Sequence, residues 1–287
     1  MTLAITQPSS PAGAVLTCTG ANPVTAVNGI ATFAGCSIDL ASTPSYRLHA
    51  TVTTGPTATD SNPFAIARGV AAKLAFATQP SSSSGGIAFA TQPVVMFQDA
   101  GGNLALANPS PVTLSIAQPS NPVGAVLSCT SANPRTPIGG VATFTGCRID
   151  LASATTYSLR ATVSTGPSGA TSNALTITVG APAQMVFSQQ PSDSAVGGSF
   201  ASQPQLTVQD AGGNTVTSDN SSSVTLDITR PSTPSTAVLA CTSNSVTVTG
   251  GVASFSGCEI DLAGIYSLSA DDTTHALTVS SEALTIT

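Results

Sequence analysis

The chain has 287 residues, no Trp, 4% aromatic, 7% charged and 41% hydrophobic residues, and a formal net charge of −6. A typical soluble domain is about 25% charged; with only 7 Lys+Arg there is no basic surface to grip a phosphate backbone or an anionic membrane, which argues against nucleic acid and membrane insertion. The apolar residues are too many and too regularly spaced for a disordered Ser/Thr tract.

The sequence repeats with a period of about 111 residues, the mark of an array of similar units. Cys18 and Cys36 align with Cys129 and Cys147, and then with Cys241 and Cys258. Three domains are expected: residues 1–70, 71–180 and 181–287, the first lacking its first two strands. No stretch is apolar for long enough to span a bilayer.

Within a repeat the expected elements follow in order. Leu74 and Phe76, matching Met185 and Phe187, mark a first strand; Val95 and Phe97, matching Leu206 and Val208, mark a second. The segment Gln98-Asp99-Ala100-Gly101-Gly102-Asn103 comes next and recurs as Gln209-Asp210-Ala211-Gly212-Gly213-Asn214. Val112, Leu114 and Ile116 then alternate with Thr113 and Ser115, as Val224, Leu226 and Ile228 do around Thr225 and Asp227. Strict alternation marks a strand with one buried face. Leu3 and Ile5 take these places in the first repeat and Met1 that of Val112, so the given sequence opens inside this strand.

Asn28-Gly29, Gly139-Gly140 and Gly250-Gly251 sit at equivalent points, and residues of this kind accept positive φ at both central positions of a type I′ hairpin turn. Two cysteines per repeat at matched spacing suit structural disulfides formed in an oxidising compartment, whereas a zinc site needs clustered ligands such as Cys-x-x-Cys. Their distances from the hairpin turn are unequal, which predicts a bridge through a bulge or the preceding loop. Closing such a loop stabilises a domain by about 3 kcal/mol.

Tyr46, Tyr157 and Tyr266 each follow an Ile-Asp-Leu-Ala segment and each open an alternating strand. This placement resembles the tyrosine corner of immunoglobulin-like sandwiches, a structural role in which the hydroxyl bonds upstream backbone. Leu175 and Ile177, matching Leu284 and Ile286, mark the last strand. No segment has a helical period, and about seven short strands per repeat predict an all-β fold of tandem immunoglobulin-like β-sandwich domains.

The ordered set formed by the Asp-Ala-Gly-Gly-Asn turn, Gly-Val-Ala-Thr-Phe and Ile-Asp-Leu-Ala resembles the bacterial immunoglobulin-like repeats of large surface proteins, of the invasin and intimin type. The resemblance covers both complete repeats and the remainder of the first. It implies a cell-surface or extracellular location, spacer, adhesive or fibre-forming roles, and no catalytic residues.

Catalytic candidates are poor on the residues themselves. His49 lies on the outward parity of its strand, with Arg160 and Ser269 at the equivalent positions, and no Ser joins a His and an acid in a recognisable motif. Asp271-Asp272 occurs once and suits a strand end turning into a loop. Asp99/Asn103 and Asp210/Asn214 are too few oxygens for a trustworthy calcium site and suit side-chain-to-backbone bonds in a Gly-rich turn. Lys73 is the only lysine, so an isopeptide staple in each domain is excluded; Asn220-Ser221-Ser222 is the sole glycosylation sequon. No metal or other cofactor is expected.

The expected function is a non-enzymatic extracellular stalk or filament of disulfide-stapled domains, its partners being neighbouring immunoglobulin-like domains or copies of itself; the open edge of the first domain is either a cut from a longer array, the preferred reading, or a place for strand addition by another chain. The alternative is an adhesin module whose partner is a glycan or cell-surface ligand.

Overall fold

The computed structural model describes residues 1–6, 12–42, 45–108, 110–117, 124–229 and 236–287. Every regular element among the described residues is a β-strand.

In the second repeat, Val94–Gln98 lies between Lys73–Thr78 and Val141–Thr143 in an antiparallel sheet. Leu74 stands opposite Phe97, and both Phe76 and Ala142 are paired with Val95. A second sheet has Leu159–Thr162 between Thr113–Ile116 and Ala170–Thr171, with Leu114 opposite Ala161 and Ile116 opposite Leu159. The alternating apolar residues of the two sheets enclose one core, in which Val95, Phe97, Phe144, Ile149 and Leu159 are fully buried. Each such side chain contributes about 1.5–3 kcal/mol, enough in sum for a core that lacks tryptophan.

The third repeat builds the same pair of sheets. Gln205–Gln209 lies between Gln184–Gln189 and Val252–Ser254, and Gly264–Asp272 pairs with Ser223–Thr229 and Leu277–Ser280. Its separate core contains Leu206, Val208, Leu226, Phe255 and Leu268.

Among the described residues of 1–70 only the second of these sheets is formed, with Arg47–Thr51 between Thr2–Thr6 and Thr59–Asp60. Met1 exchanges backbone hydrogen bonds with Val24 as Val112 does with Arg135, which fixes the register of the alignment. Residues 30–32, the counterpart of Val141–Thr143, pair no further than the Val27–Ile30 bridge of the turn because their partner in the other repeats is the Val94–Gln98 type of strand. Phe33 is consequently only half-buried and Cys36 is exposed, whereas Phe144 and Cys147 are fully buried.

The hairpin turns have the expected backbone: φ is 50° at Asn28 and 78° at Gly29, and 57° and 77° at Gly139 and Gly140. The bridge of the first repeat does not run through a bulge or a preceding loop. Cys18 stands directly opposite Cys36 in a short antiparallel ladder, Leu16–Cys18 with Cys36–Ile38, that is separate from the hairpin. Between the two cysteines the chain leaves this ladder, passes alongside Met1, turns at Asn28-Gly29 and returns at Gly35, whose φ is 59°. Distance along the chain from the turn therefore says nothing about which residues face each other.

Candidate functional site: a clasp between successive repeats

The Asp-Ala-Gly-Gly-Asn turn leaves the middle strand of the first sheet and closes on itself. The Asp99 amide donates to the Asn103 carbonyl at 2.9 Å, and Asp99 Oδ1 accepts the Asn103 amide at 2.9 Å. The Asn103 side chain is thereby aimed into the preceding repeat. Its Nδ2 donates to the Asp39 carbonyl at 2.9 Å, and its Oδ1 accepts the Ala41 amide at 2.8 Å. Asn214 does the same one repeat later, donating to the Asp150 carbonyl at 2.8 Å and accepting from Ala152 at 2.8 Å. One side-chain amide thus stands in for the peptide group of a neighbouring strand.

The aspartate completes the joint. Asp99 Oδ2 accepts the amide of Gly69 at 2.7 Å and Asp210 Oδ2 that of Gly180 at 2.8 Å, so each carboxylate also holds the segment that connects the repeats. Burial alone pushes the Asp99 carboxyl up. The amides of Gly69 and Asn103, the Asn103 side chain and the Gly101 amide outweigh it and hold the group below the ordinary carboxylate range. Gly101 and Gly212 permit the approach: a Cβ there would stand 2.0 Å from the Asp39 carbonyl oxygen and 1.9 Å from that of Asp150.

The receiving segment, Ile-Asp-Leu-Ala, is itself held rigid. Asp39 Oδ1 accepts the Val15 amide at 2.8 Å, Asp150 Oδ1 that of Val126 at 2.7 Å and Asp261 Oδ1 that of Val238 at 2.7 Å. The hydroxyls of Tyr46, Tyr157 and Tyr266 donate to the carbonyls of Leu40, Leu151 and Leu262 at 3.0, 2.9 and 3.0 Å. All three rings are buried. Burial, and after it the charge of Asp39 or Asp150, raises the hydroxyl pKa of Tyr46 and Tyr157, keeping each a neutral donor. In the segment Asp150-Leu151-Ala152 the first carbonyl faces the incoming asparagine, the second the tyrosine, and the third amide the asparagine again.

The two junctions differ on one side. At the second, Ser83–Ser84 runs parallel to Ile177–Thr178, and the Gly86 amide donates to the Ile149 carbonyl at 3.0 Å, which brings Gly85 and Gly86 against the Asp210 turn. At the first, no described residue takes this place, and a cavity of about 530 Å³ lies there, bordered by Ile38, Ile66, Gly69, Asp99 and Asn103.

Bonded sulfur pairs are Cys18–Cys36, Cys129–Cys147 and Cys241–Cys258. His49 Nδ1 faces the Asp60 carboxylate at the surface. Asp272 ends its strand, accepting the Thr274 amide at 2.9 Å, and its buried carboxylate also meets His275 Nδ1 at 2.7 Å. Asp219, distant in sequence, brings a second carboxylate to this pair, with candidate ligand atoms within 4.8 Å of one another. Both Asp219 oxygens accept donors from the Ser221-Ser222 turn, so the group forms a hydrogen-bonded cluster, short of the six or more oxygens of a hard-cation site.

One recurring set was missed in the sequence. Asn22, Asn133 and Asn244 each exchange two hydrogen bonds with one backbone residue, Leu3, Leu114 or Leu226. Their recurrence at the repeat period was the available signal.

No protein-family model matches the chain, and no curated protein sequence matches it. Among solved structures the chain is similar to the D00-D0 domain of intimin, at 12% identity over 75% of this chain and 98% of that one, with a TM-score of 0.36. It is also similar to the Escherichia coli adhesin FdeC, at 14% identity over 100% and 85%, with a TM-score of 0.31. A Parabacteroides merdae β-glucuronidase is similar at 13% identity over 72% of this chain and 24% of that one, with a TM-score of 0.26. The paired sheets around each buried core, with their corner tyrosines, are the immunoglobulin-like β-sandwich fold expected from the motifs.

Proposed function

We propose that the chain is a non-enzymatic structural segment, a stiff stalk of three immunoglobulin-like units at residues 1–70, 71–180 and 181–287, working outside the cytoplasm. The observation that carries this reading is the clasp, made twice with the same atoms between different pairs of repeats. Joined domains ordinarily move relative to each other unless their interface prevents it. Here an asparagine, an aspartate and the connecting segment are tied together at each joint, which opposes swinging. Three disulfides supplement small cores and suit an oxidising compartment.

The cavity at the first junction supports the finer reading of partners. It has the place of the Gly85-Gly86 segment, so an extended strand of another immunoglobulin-like repeat is the partner this edge fits.

Small-angle scattering and electron microscopy of the full chain test the stalk. The expected result is an elongated particle with a narrow distribution of inter-repeat angles; freely jointed beads would overturn it.

A further inference from the structure

We infer that Gly85 is what lets a repeat be clasped by its successor, and that Val196 closes the same seat on the third repeat; the inference rests on the clasp reading above. The two residues occupy one place. The Gly85 amide donates to the Thr178 carbonyl at 2.9 Å and the Val196 amide to the Thr287 carbonyl at 3.0 Å; the next residues, Gly86 and Gly197, donate to the carbonyls of Ile149 and Ile260, both at 3.0 Å.

A Cβ on Gly85 would stand 2.1 Å from Nδ2 of Asn214 and 2.7 Å from Oδ2 of Asp210, the two side chains that make the second clasp. It would also stand 2.6 Å from the Asp150 carbonyl oxygen that receives Asn214. All three approaches are shorter than those real Cβ atoms make, and all three blocking atoms are held by the clasp's own hydrogen bonds. Valine adds two further methyl groups at this spot. An Asp-x-Gly-Gly-Asn turn that seats against Gly85 has no room against Val196.

Val196 stands at this place on the third repeat with its side chain 47% exposed. The third repeat retains the Ile-Asp-Leu-Ala receiver, with Tyr266 and Asp261 bracing it, yet is closed to another turn of the kind that joins the three repeats. A repeat added after it would be joined without the clasp. Rigid stacking is specified by a single side chain on the receiving side.

The test extends the full chain after Thr287 with a second copy of residues 179–287, so that the added copy follows through the natural connecting sequence, and measures amide hydrogen exchange at Ala263 with Ala152 as reference. Ala152 should exchange slowly and Ala263 as fast as in the unextended chain; Val196→Gly in the extended chain should slow Ala263 by roughly tenfold or more. In the unextended chain, Gly85→Val should speed Ala152 by a similar factor. Protection of Ala263 with Val196 in place overturns the inference, as does a V196G chain in which Ala263 stays fast while Ala152 is slow. Fast exchange of Ala152 in the unaltered chain overturns the clasp instead, which separates the two readings.

Discussion

Asn214 donates its side-chain amide to the carbonyl of Asp150, 64 residues earlier, at 2.8 Å, and takes the amide of Ala152 in return. Asn103 and Asp39 stand in the same relation at 2.9 Å, also 64 residues apart. The pair is a strand-like contact made by one side chain, and it links two sandwiches whose cores are separate.

Asn103→Ala and Asn214→Ala each leave one carbonyl and one amide of the receiver to water, and should weaken their junction by about 1–3 kcal/mol. Scattering from the double variant should change from an elongated profile to that of a jointed chain, with the thermal transition of each repeat little altered. An unchanged profile would mean that the connecting segments alone set the shape.

The first junction should loosen in acid. Burial opposes ionisation of Asp99, but the donors from Gly69, Asn103 and Gly101 prevail and its folded pKa is lowered. A lowered folded value means that its stabilisation is fully present above the unfolded value of about 3.9 and is lost as pH falls through the folded one. Exchange at the Gly69 and Ala41 amides, followed downward from about pH 5, should accelerate relative to the core amides; parallel behaviour of both sets would argue against a role for the carboxylate.

Reduction should proceed in a set order. Cys36 is exposed, while Cys147 and Cys258 are fully buried, so a thiolate reaches the Cys18–Cys36 bridge first. Timed alkylation and mass spectrometry during mild reduction should label Cys18 and Cys36 before the other four. Breaking either buried bridge should cost its repeat about 3 kcal/mol, read as a drop in Tm.

Tyr157→Phe keeps the buried ring and removes only the donor to Leu151. The expected loss is about 1 kcal/mol in the second repeat, together with faster exchange at Ala152, since that receiver loses its brace. A variant with lowered Tm and unchanged Ala152 exchange would reduce the tyrosine to a packing role.

The strand list was legible because each sheet has one wet face: Leu114 and Ile116 alternate with Thr113 and Ser115, and the same alternation recurs at Leu226 and Ile228. The turns were legible because Asn28-Gly29 and Gly139-Gly140 belong to a residue class that tolerates positive φ, a purely local property. The cysteine geometry was not, since the chain changes sheets between Cys18 and Cys36 and local spacing carries no record of that crossing.

By itself, the order of residues determined the repeat, the all-β class, the hairpins and the presence of an Asp/Asn pair suited to bonding backbone, because these follow from periodicity and local conformational preference. Only the tertiary structure decided which backbone the asparagine meets, that the corner tyrosine braces the segment it meets, and that Gly85 and Val196 stand at the seat beside it. The asparagine contacts join residues of different repeats across the surface between two cores. They depend on distances of a few tenths of an ångström, which no pattern along one strand encodes.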